Sequence, residues 1–309
     1  MPLLKRRTIL AAKQETTMGT AVSLAAADAG FNVMNISVDF DIPSSDRQAQ
    51  GSMSRITSVP GARTGKVSFE IELSGSGSSG TPTPTWATTF LPACGWAVTT
   101  NVFSPVSDVA SMKTLTIGVY HDGLLKQIKG AMGTFTLSAE AGKQATIKFE
   151  FTGCYGGVSD VALIAPTYPT VIPPRWATST VTIGSYSPAP CSKLSIGANT
   201  TVHLREDPTD VTGYRAALVT DRYVKGSIDP ETPLVATKDL WGDWLAGTEA
   251  AFSCSFGATA GNIVTLGAPK TQYTGINSGD RDGVLTEDVS FQCNKSANAG
   301  NDEFTITFS

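Results

Sequence analysis

Apolar and polar residues alternate with a period of two along several stretches of the chain. In Lys66–Leu73, Val67, Phe69, Ile71 and Leu73 share one face, while Lys66, Ser68, Glu70 and Glu72 share the other. In Gln144–Thr152, Ala145, Ile147, Phe149 and Phe151 oppose Thr146, Lys148 and Glu150. Leu115, Ile117 and Val119 alternate with Thr114, Thr116 and Gly118, and Phe304, Ile306 and Phe308 with Thr305 and Thr307. This period places one face of a strand on a core and the other toward water, the habit of antiparallel sheets. Charged polar faces also discourage stray strand pairing. Helical spacing is rare. Trp86–Cys94 groups Trp86, Phe90, Leu91 and Cys94, with Pro92 limiting its length. Asp239–Ala246 offers Asp239 as an N-cap and groups Trp241, Trp244 and Leu245, which helix-to-sheet packing would bury. Ala21–Ala29 is compatible with a third helix.

Breaks in the pattern divide the chain. Ser74–Thr85 is a Gly/Ser/Pro/Thr loop after a strand, and Ala165–Pro190 holds six prolines. The expected organisation is an N-terminal arm at 1–32, a first β module at 33–165, a Pro-rich linker at 166–190 and a second β module at 191–309. The two modules follow the same order. Arg63, the strand Lys66–Leu73, a loop, the Trp86 helix, a glycine turn at Ala141-Gly142-Lys143 and a closing strand make the first. Arg222, the segment Lys225–Asp229, a loop, the Trp241/Trp244 helix, a turn at Ser278–Gly283 and the strand Leu285–Cys293 make the second. This order points to a duplicated β-rich unit with low identity between its copies.

Composition narrows the class. Of 309 residues only 16% are charged and 41% are hydrophobic, with 30 Gly and 17 Pro. That is too little charge for a disordered polyelectrolyte and the wrong set of residues for a helical bundle. The net charge is −4; residues 1–165 carry 13 Lys/Arg against 12 Asp/Glu, the remainder 10 against 15. The sole basic cluster is Lys5-Arg6-Arg7, so a cationic nucleic-acid module is excluded. Five dispersed cysteines without a CxxC pair read as reduced buried thiols. The N-terminal apolar stretch Thr8–Ala12 is shorter than a signal-peptide core, and no run spans a membrane, so synthesis and folding in a cytoplasm are expected.

Catalytic and metal chemistry finds no footing. Gly75–Gly80 matches GxGxxG, but Thr81-Pro82-Thr83-Pro84 follows where a dinucleotide fingerprint needs a helix. His121 and His203 fall on strands as exposed residues without a nucleophile beside them. Asp39-Phe40-Asp41 and Asp280–Gly283 lack the alternating ligands of a calcium loop. Glu70 and Glu72 are same-face neighbours on a strand, read as solvent-facing rather than as a glycosidase pair. Asn35, Asn199 and Asn294 head N-x-S/T sequons, uninformative outside a secretory pathway. No enzyme, cofactor or metal is expected.

Four stretches carry a resemblance: Ala11–Val22 (AAKQETTMGTAV), Gly133–Gly153 (GTFTLSAEAGKQATIKFEFTG), Thr220–Gly247 and Thr259–Phe291. Over most of its length the chain resembles the major tail tube proteins of long-tailed, siphovirus-type bacteriophages. The resemblance implies an all-β fold: two tandem tail-tube-type β-sandwich or barrel modules, each with a short flanking helix. It further implies a structural virion protein, made in the host cytoplasm, whose rings stack into a tube for DNA ejection. The implied partners are other copies, the tape-measure protein and double-stranded DNA in the lumen, and the tail terminator and distal tail proteins, with no membrane. If the usual ring has six modules, two per chain give a homotrimeric, pseudo-hexameric ring rather than a hexamer. Lys5, Arg6 and Arg7 of the arm and Ser76, Ser78 and Thr83 of the Gly/Ser/Pro loop are candidate contacts to the next ring. The lumen-lining strands stay unassigned. The alternatives are a β-sandwich host-recognition or carbohydrate-binding module of a fibre, and a two-domain hydrolase.

Overall fold

The computed structural model describes residues 3–177, 179–187 and 189–309. Strands make up 52% of the chain and helices 8%. The all-β class expected from the alternating pattern is the class observed. Most strands join one 15-stranded sheet, and two short hairpins stand apart from it.

Pairing follows the same order twice. In the first half, Thr8–Gln14 pairs with Leu115–His121, which pairs with Leu124–Glu140. Next come Thr146–Asp160, Thr64–Glu72 and Val33–Asp41. In the second half, Val181–Ile183 pairs with Glu249–Phe256, which pairs with Val264–Arg281. Next come Val284–Cys293, Lys225–Pro230 and Cys191–Gly197. Every one of these pairs is antiparallel. Each half also inserts a hairpin at the same point, Ser44–Gln48 with Arg55–Pro60 in the first and Thr200–Glu206 with Tyr214–Arg222 in the second. Thr136–Glu140 joins the halves by pairing with Lys193–Gly197. The C-terminal strand Thr305–Phe308 returns between Val264–Gly267 and the Val102–Pro105 strand of the first half.

One apolar core runs beneath both halves, because the apolar faces of successive strands stay in register. Phe149 sits at its aromatic centre. Its ring centroid lies 5.4 Å from Phe90, 5.6 Å from Phe69, 5.9 Å from Phe151, 6.1 Å from Phe135 and 6.3 Å from Trp86. The first helix, Thr85–Phe90, continues as a 3-10 turn over Leu91–Cys94 and stops at Gly95, which has φ 80°. It buries Trp86, Ala87 and Phe90 as its spacing predicts.

The second helix departs from expectation. Asp239 does cap Leu240–Ala246, accepting from Gly242 N at 2.7 Å. Yet the buried residue is Leu240, whereas Trp241 and Leu245 are exposed and Trp244 is half-buried. In so short a helix Leu240 at its start faces the core and Trp244 packs partly against it, while Trp241 and Leu245 turn outward. The two indoles also cover each other, with ring centroids 5.7 Å apart. Ala21–Ala29 shortens to a single 3-10 turn at Ala26–Ala29.

The terminal segment and the loops are anchored. Within 1–32, Thr8–Gln14 is a paired strand that buries Leu10, Ala11 and Ala12. The Ser74–Thr85 loop is fastened by Gly75 N to Asn262 Oδ1 (2.9 Å) and Gly77 N to Gly261 O (2.9 Å). Within 166–190, Trp176 is buried and Val181–Ile183 is a strand.

The two hairpins meet different fates. The second folds back on the first half, where Val202, Leu204, Leu218 and Val219 surround Met112 and Met132. Arg63 N donates to Thr212 O (2.8 Å) and Thr200 Oγ1 to Gly133 O (2.7 Å). The approach is close enough to require glycine. A Cβ on Gly19 would stand 2.0 Å from Arg215 O, and one on Gly130 would stand 3.0 Å from Ala216. Every residue in both strands of the first hairpin is exposed.

Candidate assembly surfaces

The polar face of the sheet is continuous across the two halves. By register, Glu72, Thr146, Ser138, Ser195, Ser227 and Ser290 form one row over successive strands. The next row runs Glu70, Lys148, Thr136, Gly197, Lys225 and Gln292. Beneath them lies the matching apolar row Ile71, Ile147, Leu137, Ile196, Gly226 and Phe291. A slip of one residue anywhere would invert both faces beyond it, so the register at the joint between halves is strongly fixed.

Charge on this face is mixed and partly paired: among the described residues Lys66, Lys193 and Lys225 have no ion pair. Lys148 bonds Glu150 at 2.6 Å, and that hydrogen bond, with the carboxylate charge, raises the lysine above its ordinary value. Lys143 pairs with Glu140 at 2.9 Å, and Lys193 stands opposite Glu140 across the joint. An open depression of about 610 Å³ lies here, lined by Ser138, Glu140, Lys193, Ser195, Ser227 and Asp229. Hydroxyls, two Lys–Glu pairs and further charges of both signs present hydrogen-bonding groups over this face.

At each end of this face an edge is open. Among the described residues, Val33–Asp41 pairs on one side only, with Thr64–Glu72. The 276–281 stretch likewise pairs only with Val284–Val289. Its counterpart in the first half is Thr136–Glu140, the stretch that holds the second half.

The profile of the phage tail tube protein family matches residues 5–293. The chain belongs to the phage tail tube protein family. No curated protein matches it. Its role is therefore structural, in the tube of a virion tail, and a tail tube protein self-assembles into that tail.

In this tail tube protein the candidate contact residues lie in two separate places. Arg7 pairs with Asp122 at 2.5 Å and Leu4 N bonds the same carboxylate, holding Lys5, Arg6 and Arg7 beside the Asp122-Gly123 turn. Lys5 and Arg6 are exposed. Ser76 and Ser78 bond within their own loop, and Thr83 Oγ1 donates to Asn101 Oδ1 at 2.9 Å. No hydrogen bond or ion pair among the described residues joins the two groups. The first hairpin gave no signal beyond a run of polar residues between two strands. The docking of the second was equally hidden, since its partners Met112 and Met132 lie far away in sequence.

The chemistry weighed from sequence resolves into structural roles. His203 is exposed, but His121 is half-buried, correcting the expectation of two exposed histidines. Its Nδ1 lies 3.0 Å from Thr8 Oγ1, and burial, then the Lys126 charge, lowers its pKa below the ordinary histidine value. Asp280 accepts from Gly283 N, while Arg281 bridges Asp229 and Glu231. Four cysteines are buried and Cys191 is half-buried. Burial pushes the Cys191, Cys254 and Cys293 thiols up to about 12, so these thiols are inert rather than nucleophilic.

The second hairpin carries a pH dependence. Burial raises the Asp210 carboxyl, but hydrogen bonds from Lys129 (2.7 Å) and from Thr212 outweigh it and hold the value at about 2. The unfolded chain then binds the extra proton first as pH falls, so the contribution is full above the ordinary carboxylate value and lost through about pH 2. Its size is roughly 1 kcal/mol, because solvent screens the pair. Urea midpoints measured between about pH 4 and 2 should fall less steeply in Asp210→Asn than in the parent. Identical slopes would remove Asp210 as the source.

Proposed function

We propose that the chain polymerises as stacked rings to form the tube of a long, non-contractile phage tail, the conduit for DNA ejection into the host. The observation that carries this reading is the polar sheet face with one register across both halves and an open edge at each end. Two open edges of opposite kind favour head-to-tail pairing between copies, which closes when the rotation suits and leaves no free edge. The repeated pairing order supports two tandem modules around 33–165 and 191–309, with Thr8–Gln14 of the 1–32 segment and Val181–Ile183 of the 166–190 segment each adding the corresponding strand. A six-module ring then takes three chains. In such a ring the polar face lines the lumen, and its hydroxyls, with acids such as Glu70 and Glu72 interspersed among the lysines, suit a duplex that must slide, because each free Lys/Arg contact to phosphate adds affinity through counterion release.

The tape-measure protein would occupy the same lumen before DNA, and the terminator and distal tail proteins would meet the two ends of the stack. Lys5, Arg6 and Arg7, beside one turn, and Ser76, Ser78 and Thr83, in an anchored loop, are proposed contacts between stacked rings.

Negative-stain images of the purified protein should contain rings or tubes of uniform width, and native mass measurement of one ring should give three chains. Monomers alone, at all salt and protein concentrations, would overturn the reading.

A further inference from the structure

We infer that the first hairpin, Ser44–Pro60, docks on the second half of a neighbouring copy, in the place equivalent to that of the second hairpin within its own chain. The inference rests on the ring reading above. It is carried by the repeated topology and by the contrast between two hairpins inserted at the same point of the same pairing order. One lies against the half that precedes it in the chain. The other lies against no half among the described residues, and all its strand residues are exposed. An isolated two-stranded hairpin is marginal in water, and this one holds Ile56 and Val59 in the open. In a head-to-tail arrangement, the half preceding the first half is the second half of another copy.

Register gives the receiving surface. Phe69 faces Phe149 as Ile228 faces Val289, which makes Arg63 equivalent to Arg222 and, counting back, Thr57 equivalent to Ala216. Met132 faces Thr152 as Gln272 faces Gln292, which makes Gly130 equivalent to Lys270. Gly95 and Gly247 correspond as the left-handed ends of the two helices. Within the chain, Ala216 sits on Gly130, and Val219 sits 3.6 Å from where a Gly95 Cβ would stand. Between copies, Thr57 therefore lies at Lys270, and Pro60 at Gly247.

The chemistry of the two surfaces agrees with this placement. Around Lys270 the second half presents a polar ladder: Gln292 Nε2 donates to Gln272 and Asn294, and Asn294 Nδ2 donates to Glu249. Lys270 is partly exposed and pairs with Glu249 at 2.8 Å. The hairpin that meets it is itself rich in Ser, with two Gln, two Arg and Asp46. The second hairpin, by contrast, carries Val202, Leu204, Leu218 and Val219 to a methionine-lined seat. An apolar seat suits a contact made once during folding. A polar one suits a surface that stays wet until another copy arrives.

The test is a cysteine pair, Thr57→Cys with Lys270→Cys, oxidised in assembled protein and run without reductant. The expected products are covalent dimers and trimers stopping at the closed ring, absent from either single variant; four native thiols are buried, and any bond made by the half-buried Cys191 would show in the single variants. A ladder running past the ring would place the hairpin on the next ring and overturn the inference. Normal tubes without cross-links would also overturn it, while absence of tubes in the parent protein would instead sink the ring reading. Should the double variant fail to assemble under reductant, hydrogen exchange of the parent decides. The amides of Ser44–Pro60 gain protection on ring formation if the hairpin docks, and unchanged exchange there would refute the docking.

Discussion

Glu15→Ala is expected to cost roughly 3–5 kcal/mol of stability, an effect on the scale of breaking a buried charged network. The carboxylate is buried and takes four donors. Thr114 Oγ1 and Gly19 N reach one oxygen at 2.6 and 2.8 Å, and Thr116 Oγ1 and Gly130 N reach the other, both at 2.8 Å. Removal leaves these groups without a partner in a place water does not freely enter. The damage would also spread. Gly19 and Gly130 are the two positions against which Arg215 and Ala216 of the second hairpin rest. Glu15→Gln should recover only part of the loss, because an amide offers one accepting oxygen where two are used. Denaturant midpoints measure the loss, and hydrogen exchange over residues 200–222 reads the loosening of the hairpin. An alanine loss below about 1 kcal/mol would mean that the four donors find other partners.

Phe149→Ala should cost a similar amount, about 3–5 kcal/mol, by a different route. The ring is fully buried and touches aromatic neighbours from two adjacent strands, its own strand and the first helix. Truncation removes those contacts and leaves a cavity, since Phe69, Phe90 and Phe135 are each held by further partners and cannot all move in. Phe149→Leu should restore much of the stability by filling most of the volume. The residue lies between Lys148 and Glu150 of the polar face, so its loss should also soften that surface. Thermal or denaturant unfolding of the two variants decides the matter. Equal stability for alanine and leucine would argue that the core collapses around the site.

The alternating stretches were legible because period-two burial is local: Lys66–Leu73 and Gln144–Thr152 each carry their own inside and outside. Asp239 was legible for the same reason, a cap being settled within one turn. The fate of the Trp241, Trp244 and Leu245 stripe was not. Helical spacing says which residues share a face, but only the rotation of the helix on its sheet says whether that face is buried. Glu15 was invisible for a further reason. A single acid in Ala11–Val22 reads as a surface residue, and three of its four donors lie about a hundred residues away. The polar rows were half legible. The face of each strand could be read alone, but the order of strands across the joint, and hence the rows, depends on distant pairing.

The pairing of Thr136–Glu140 with Lys193–Gly197 has a consequence for how a ring of such chains would be supplied. That seam closes within one polypeptide, where tethering gives an effective concentration in the millimolar range whatever the number of subunits in the cell. Only the alternate seams, between copies, would respond to how much protein is present. Half of the ring's joints are then complete before any two chains meet, and the onset of assembly falls to one kind of encounter.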